Sequence, residues 1–427
     1  MVSYANVTLW DKLAGVVYWD SARQLANFEY APQFIRSGLE ISPIHIPLEQ
    51  GRIFAFPELN HQTYKGLPGL LADALPDNFG NMLINRWLAE QGRNPDTYNP
   101  VERLLYLGKR GMGALEFEPA EKITSNISTK IELDGLVEAA RLAIQRKEKL
   151  QTNLKGSSAD LLQIIKVGTS AGGARAKAVI AYNEQTKEVK SGQLNVPEGF
   201  SHWLIKLDGV TNEKLGDPKH YGRIEYVYHK MAVACGIKMT DCRLLEENKR
   251  AHFMTKRFDR VGGKEKLHMQ TLCGLAHFDF NIQGGYSYEQ LFQVMRTLRL
   301  LYSDAEQVFR RMIFNIVARN QDDHTKNFSF LMNREGKWQL SPAYDVTYSY
   351  NPTGDFTSKH QMSVNGKRDD FTMNDFLQIA QSMHIKNSKE IIEEVIDAVS
   401  LWKKFAFEHN IPKNQIDDIF KTHRFKF

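Results

Sequence analysis

The spacing of apolar residues divides the chain into three stretches. Short apolar runs at the start predict strands: Val7-Thr8-Leu9-Trp10, Gly15-Val16-Val17-Tyr18-Trp19 and Arg52-Ile53-Phe54-Ala55-Phe56. A helix is expected from Asn78 to Gln91, with Phe79, Met82, Leu83 and Leu88 on its apolar face. Asp77 can cap that helix and Pro76 sets its start. Gly135 to Lys149 is amphipathic and predicts another helix, and the polar stretch Gln151–Asp160 reads as a linker. A module boundary is therefore expected between residues 120 and 160. Past Ile164 strands return, at Ala178–Tyr182 and Trp203–Leu207, followed by a helix over 222–234 with Val227, Met231 and Ala234 on one side. Cys242–Leu245 and His252–Thr255 are two further strands. Beyond about residue 285 the apolar spacing is helical almost to the end, interrupted by one hairpin.

This pattern predicts an α+β chain whose middle is rich in strands and whose last third is rich in helices. The length of 427 residues allows two to three domains at roughly 100–200 residues each. With 42% hydrophobic and 25% charged residues, wholesale disorder is excluded. The three cysteines, Cys235, Cys242 and Cys273, are too few and too irregularly spaced for a disulfide framework or a zinc site. They read as buried thiols of a reducing compartment. No apolar run reaches the roughly 18–20 residues of a membrane helix, and Asp11 and Lys12 interrupt any signal peptide. A cytoplasmic protein that does not engage membranes is expected. A net charge of +5 permits contact with nucleic acid without requiring it.

The chemistry concentrates between Asn320 and Asp345. A helix with Val308, Met312, Ile313, Ile316 and Val317 on its apolar face leads into Asp322-Asp323-His324-Thr325-Lys326-Asn327. Two strands, Phe328–Met332 and Trp338–Leu340, then form a hairpin around a turn containing Gly336. A hairpin returns the chain to its start, so Asn327 and Asp345 should be neighbours. Phosphoryl transfer to a hydroxyl calls for this arrangement: a loop Asp for the attacking hydroxyl, with an Asn five residues later and a second Asp as oxygen ligands for Mg²⁺. Asp322, Asn327 and Asp345 fill these places, with the spacing D-x-x-x-x-N. Read alone, that spacing is a polar loop after a helix; the hairpin and second Asp, in order, favour the kinase reading.

Two further segments fit that reading. Gly168-Thr-Ser-Ala-Gly-Gly-Ala-Arg-Ala-Lys177 is built of small residues whose backbone N–H groups can cradle phosphates. It is neither a Walker A loop nor a dinucleotide fingerprint. Lys206, in the apolar strand Trp203–Leu207, calls for an anion, and Glu225 is a candidate partner. Phe253–Arg260 joins the β-rich and α-rich parts, where backbone groups can pair with an adenine.

Together these residues resemble the HipA family of bacterial serine/threonine kinases, the toxins of HipBA toxin–antitoxin modules, over nearly the whole chain. Leu75-Pro76-Asp77-Asn78-Phe79-Gly80 is similar to the family's L-P-D-x-x-G segment. Thr169–Lys177 resembles its phosphate loop, Lys256-Arg257-Phe258-Asp259-Arg260 its E-R-F-D-R hinge, Asp322–Asn327 its D-x-H-x-K-N motif and Ala343-Tyr344-Asp345 its Y-D metal site. The resemblance implies a two-lobed kinase-like fold: an N-terminal module over 1–125, a β-rich nucleotide-binding lobe over 126–258 and a mainly α-helical catalytic lobe over 259–427.

It also implies ATP and Mg²⁺ as cofactors, with Asp322 as the catalytic residue and Asn327 and Asp345 as metal ligands. Gly172, Gly173, Ala174, Arg175, Ala176 and Lys177 would cover the phosphates. Lys206, the backbone of Lys256, Arg257 and Phe258, and the motif residues His324, Lys326 and Tyr344 would complete the nucleotide site. Ser170 would be an autophosphorylation site, and added charge there would push ATP away. Implied partners are a HipB-like helix-turn-helix antitoxin, operator DNA through that antitoxin, and an aminoacyl-tRNA synthetase substrate such as glutamate–tRNA ligase. Asp208–Arg223 is a candidate substrate-contacting loop.

The sequence departs from the family at Lys256, where a Glu is common, and at Gln270 and Thr271, where relatives carry acidic residues. Two other readings are a weakly catalytic corepressor, with the tail Lys421–Phe427 on phosphates, and a small-molecule or lipid kinase of the same fold.

Overall fold

The structure, a computed structural model, describes residues 4–119, 133, 135–137, 140, 141, 175–192, 196–210, 220–262 and 265–427. The expected linker Gln151–Asp160 and most of the helix Gly135–Lys149 lie outside the described residues. The chain divides into two compact units. The first is 1–41, 46–219 and 245–269, and the second is 42–45, 220–244 and 270–427.

The first unit holds two antiparallel sheets. One has the order Ile53–Phe54, Leu25–Tyr30, Lys12–Asp20, Tyr4–Leu9, Leu115–Glu118. Its first hairpin turns through Trp10 and Asp11, both at positive φ, a two-residue turn whose twist matches that of the strands. This ends the expected strand one residue early, at Leu9. Gly15 has no room for a side chain, since a Cβ there would meet the Glu29 carbonyl oxygen at 2.2 Å. The expected strand Arg52–Phe56 shortens to Ile53–Phe54, an edge pairing with Phe28 and Glu29 alone. Strand Leu25–Tyr30 was not legible from alternation because Asn27 is buried among its apolar residues.

The second sheet has the order Val189–Ser191, Lys177–Asn183, Phe200–Lys206, Arg250–Lys256, Cys242–Glu247. Ala178, Ile180, Tyr182, Trp203, Ile205 and Met254 form its apolar face, in one buried cluster with Phe79, Leu83 and Trp87. Those three belong to the helix Asn78–Glu90, where it was expected and capped by Asp77, whose Oδ1 accepts from the Gly80 N–H at 2.7 Å.

A buried ion cluster ties the hinge motif to the loop before Leu115. The Asp259 carboxylate accepts from Arg257 Nε at 2.9 Å and Nη2 at 2.6 Å, from Arg260 Nη1 at 2.6 Å and from the Gly113 N–H at 2.7 Å. Both arginines also donate to the Gly111 carbonyl.

The second unit is largely helical. Its core gathers Tyr221–Ala234, Tyr288–Thr297, Tyr302–Val317, Met373–Ser382, Ser388–Ser400, Trp402–Glu408 and Lys413–Thr422. Tyr302–Val317 is buried on every side from Gln307 onward, which marks it as the central element. The tail closes on its end: the Arg424 N–H donates to the Val317 carbonyl at 2.9 Å and Arg319 Nε to the Thr422 carbonyl at 2.7 Å. His423 is buried, which pushes its ring down to about 3 and leaves it neutral, and Arg424 is paired with Asp369.

The expectation of helices interrupted by a single hairpin fails over 341–372. There the chain is irregular apart from the two-residue strand Met362–Ser363, which pairs in parallel with Tyr286–Ser287. Side-chain anchors hold this polar stretch where backbone ladders are scarce. The three cysteines are buried free thiols, and burial pushes the Cys235 thiol up to about 12. Among the described residues no helix is long and apolar enough to cross a membrane.

The Asp259 cluster generates a stability prediction. Burial alone would raise its carboxyl, but the Arg257 and Arg260 charges and the bonds it accepts outweigh burial and hold it far below the ordinary range. A depressed folded pKa contributes stability above the unfolded value near 3.9 and loses it as pH falls through the folded value. Asp259→Asn should cost about 3–5 kcal/mol in urea unfolding at pH 7, because it strands buried guanidinium groups. The difference from wild type should hold down to about pH 4 and narrow below it. A cost under about 1 kcal/mol at pH 7 would mean that the cluster does not hold the hinge.

Candidate active site

The loop after the central helix is fixed by a chain of buried hydrogen bonds. Asn320 Nδ2 donates to Asn315 Oδ1 at 2.9 Å, and Asn315 Nδ2 donates to the Tyr288 hydroxyl at 3.0 Å. That hydroxyl donates to Asp323 Oδ2 at 2.8 Å. The same carboxylate accepts from His360 Nδ1 at 2.9 Å and from the Gln361 N–H at 2.8 Å. Burial on its own would raise the Asp323 carboxyl; the His360 ring and the three donated bonds outweigh burial and hold it below the ordinary range.

This network distinguishes two adjacent aspartates that composition cannot. The Asp323 side chain is 0% exposed and engaged by three donors. That of Asp322 is 48% exposed, with Oδ1 3.7 Å from His324 Nε2. A residue that receives a substrate proton has to be reached by substrate. Asp322 meets that condition and Asp323 does not.

The rest of the loop is pinned at several points. Asn327 Nδ2 donates to the Asp322 carbonyl at 2.6 Å, and Thr325 Oγ1 to the Phe278 carbonyl at 2.6 Å. His324 and Lys326 flank Phe280, with the imidazole ring centroid 5.4 Å and the ammonium nitrogen 4.6 Å from its ring. The hairpin pairs Phe330 with Leu340, Leu331 with Gln339 and Met332 with Trp338, as its sequence pattern requires. Its open end is closed by Tyr344, whose hydroxyl donates to the Lys326 carbonyl at 2.6 Å and also bonds the Ser329 hydroxyl. The residue before Asp345 therefore touches the residue before Asn327. Asp345 itself sits at φ 51°, a left-handed conformation that Asp tolerates better than most residues.

These residues suit a divalent cation of the hard class. Because the Asn327 amide nitrogen is spent on the Asp322 carbonyl, its oxygen is the atom left for a cation. Asp345 adds a carboxylate. Among the described residues no group of three or more His, Cys, Asp or Glu could hold a metal. Two protein ligands completed by phosphate oxygens and water is the usual Mg²⁺ arrangement.

Of the nucleotide candidates in the first unit, Lys177 and Lys206 belong to the face of the second sheet opposite its apolar face, and Lys256 to the side of Trp203. Lys177 pairs directly across from Lys206, which in turn pairs with Phe253. Directly opposed residues of an antiparallel pair emerge on the same side, so two ammonium groups share one face. Lys177 is buried, with Nζ 3.7 Å from Asp77 Oδ2. Lys206 Nζ lies 5.8 Å from the Phe253 ring centroid. In the hinge, the Arg257 N–H donates to the His202 carbonyl at 2.9 Å and its guanidinium serves Asp259. Lys256 lies over Trp203, and Phe258 is half-buried. Ala176 is buried and its carbonyl accepts from the Leu207 N–H, with Arg175 half-buried beside it. Glu225 is buried on Tyr221–Ala234 in the second unit. Ser170, Gly172, Gly173 and Ala174 lie outside the described residues, as do 211–219 of the expected substrate loop.

Sequence reasoning missed Asp323, Tyr288 and His360 as a group, and the facing of Lys177 by Asp77. No local motif joins residues so far apart; the doubled Asp322-Asp323 was the only hint that one carboxylate works inward.

Comparison with known proteins follows the same lines. Residues 5–118 match the HipA N-terminal domain and residues 169–402 match the HipA-like C-terminal domain. The serine/threonine-protein kinase toxin HipA of Shewanella oneidensis is 21% identical over 384 residues, 84% of this chain and 78% of that protein. A putative kinase of Haemophilus influenzae is 21% identical over 210 residues, 42% of this chain and 60% of the relative. The putative kinase Y4mE of Sinorhizobium fredii is 27% identical over 150 residues, 33% of this chain and 34% of the relative. The chain thus spans less than two thirds of those last two relatives. Among solved structures, HipA of Shewanella oneidensis MR-1, in complex with HipB and operator DNA, is similar with a TM-score of 0.65 at 16% identity. That likeness covers 98% of this chain and 95% of the other and is one of fold, the mixed helix-and-strand, kinase-like fold that the sequence led us to expect. With the C-terminal domain match alone extending over more than half of its residues, the chain belongs to the HipA family.

Proposed function

We propose that this chain is an ATP-dependent serine/threonine-protein kinase acting as the toxin of a toxin–antitoxin module. The observation that carries this reading is the exposed Asp322 on a rigid loop whose far end, at Asn327, is closed onto Asp345 through Tyr344. The register that sets Lys177 directly across from Lys206 is consistent with it, since two lysines at one place suit a polyanion such as a triphosphate.

In this mechanism the substrate hydroxyl oxygen forms the new bond to the γ-phosphorus as the bond to the β-phosphate bridging oxygen breaks in line. Asp322 orients that hydroxyl and takes its proton. Asn327 and Asp345 would hold Mg²⁺, which supplies positive charge against the phosphates when bound. Lys177 and Lys206 bind the phosphates, while backbone groups of Lys256 to Phe258 other than the Arg257 N–H receive the adenine. Ser170 serves as the autophosphorylation site. The domain limits 1–125, 126–258 and 259–427 belong to this proposal.

A HipB-like antitoxin, operator DNA through that antitoxin, and an aminoacyl-tRNA synthetase substrate complete the reading. Its support is the likeness in fold to a HipA solved with HipB and operator DNA.

Intact mass after incubation with Mg²⁺-ATP tests the enzyme. Wild type should gain one phosphate, mapping to Ser170, and Asp322→Ala should gain none, with phosphotransfer down by about 10²–10⁴-fold. ATP binding without any phosphate gain would turn the reading toward the corepressor. Asp345→Asn tests the metal role cleanly, because Asn also tolerates the left-handed conformation. Its melting temperature should match wild type, while Mg²⁺-dependent ATP affinity should fall at least about tenfold. Unchanged affinity would remove Asp345 from the metal site.

A further inference from the structure

The buried side of the catalytic loop contains a device that the chemistry above leaves unused. Asp323 takes donors from two places far from it in sequence: the Tyr288 hydroxyl, 35 residues before, and His360 with the Gln361 N–H, 37 and 38 residues after. His360 is fully buried. Its Nδ1 faces Asp323, its Nε2 has no hydrogen-bond partner among the described residues, and its ring lies 5.5 Å from that of Phe371. Its position is set by backbone on both sides, since its N–H donates to the Arg368 carbonyl and its carbonyl accepts from Arg368 Nε.

We propose that the buried Asp323–His360 pair positions Asp322, acting through the loop backbone and touching neither nucleotide nor substrate. This inference rests on the kinase reading, in which Asp322 is the residue to be aimed.

The argument is mechanical. Asp322 has an exposed side chain, with Oδ1 standing 3.7 Å from His324 Nε2. Its own backbone is held from one side by Asn327, at 2.6 Å. On the other side the next residue, Asp323, is clamped at both carboxylate oxygens, Oδ1 by the Gln361 N–H and Oδ2 by Tyr288 and His360. Fixing the carboxylate at position 323 fixes the peptide between 322 and 323, and with it the direction in which Asp322 leaves the chain. Remove the donor at 360 and Asp323 keeps two bonds, but the carboxylate is free to swing about them. A shift of about 1 Å at the reacting group is enough to cost about 10²-fold in rate. The nucleotide candidates of the first unit are not part of this network, and Asn327 keeps its own bond to the Asp322 carbonyl, so ATP affinity should suffer far less than turnover.

The test uses three substitutions in the full chain. Asn at 360 places an amide N–H where Nδ1 was, Leu at 360 fills the space without a donor, and Tyr288→Phe removes one hydroxyl while keeping the ring. Two readouts are taken: steady-state phosphotransfer, and hydrogen exchange of the amides of Asp322–Asn327 against those of Val308–Val317. His360→Leu should lower kcat by about 10²-fold with the KM for ATP within about twofold, and should speed exchange in the loop but not in the helix. His360→Asn should recover most of both. Tyr288→Phe should move both in the direction of His360→Leu, by less, and keeps the test open should His360→Leu not fold.

The proposal is overturned if His360→Leu and Tyr288→Phe leave kcat and loop exchange at wild-type values. It is also overturned if His360→Asn is as impaired as His360→Leu, because then ring packing and not the donated bond matters. If wild type transfers no phosphate, the kinase reading falls. The exchange pattern still decides whether the pair holds the loop.

Discussion

A carboxylate taken out of water has to be given donors, and in this chain the loop proposed to carry the chemistry is organised around one that is. Desolvating an unpaired carboxylate costs more than a fold of this size can spare. Asp323 therefore dictates where Tyr288, His360 and the Gln361 N–H must stand. Through Tyr288 the requirement extends to Asn315 on the central helix and Asn320 at the start of the loop. Once those are placed, Asp322 is left facing outward. The open carboxylate is defined by the closed one.

Buried charge is used in the first unit as well, with a different result. In the hinge motif, Arg257 and Arg260 share the Asp259 carboxylate and grip the carbonyls of Gly111 and Gly113. Their side chains thus hold the motif in place. On the second sheet two lysines stand directly opposite each other, so each needs negative charge nearby. Asp77 answers part of that need for Lys177.

How much of this could be read in the sequence depended on the range of the interaction. Local devices were legible: the Asp77 cap with its helix, and the order of helix, Asp322, Asn327 and hairpin. Their physics is contained in a few consecutive residues. Strand Leu25–Tyr30 was hidden because a buried Asn27 breaks the alternation that reveals a strand. Residues 341–372 were misjudged as part of a helical region because anchors such as His360 and Gln361 leave no period in the sequence. The role of Asp323 was invisible for the same reason. Its donors sit on segments that meet it only in three dimensions, and nothing near Asp323 announces them.

The closure of the tail on the central helix has a consequence in time. The helix end from which the loop at 320–327 emerges is held by Thr422 and Arg424, about a hundred residues downstream. On a chain still being synthesised, the helix and the hairpin can form well before those residues exist. The end of the helix stays unsealed until they arrive. A chain cut short by premature termination would then carry every motif of the loop and lack the brace that steadies it. Order of synthesis thus puts the brace last, after every motif of the loop is already in the chain.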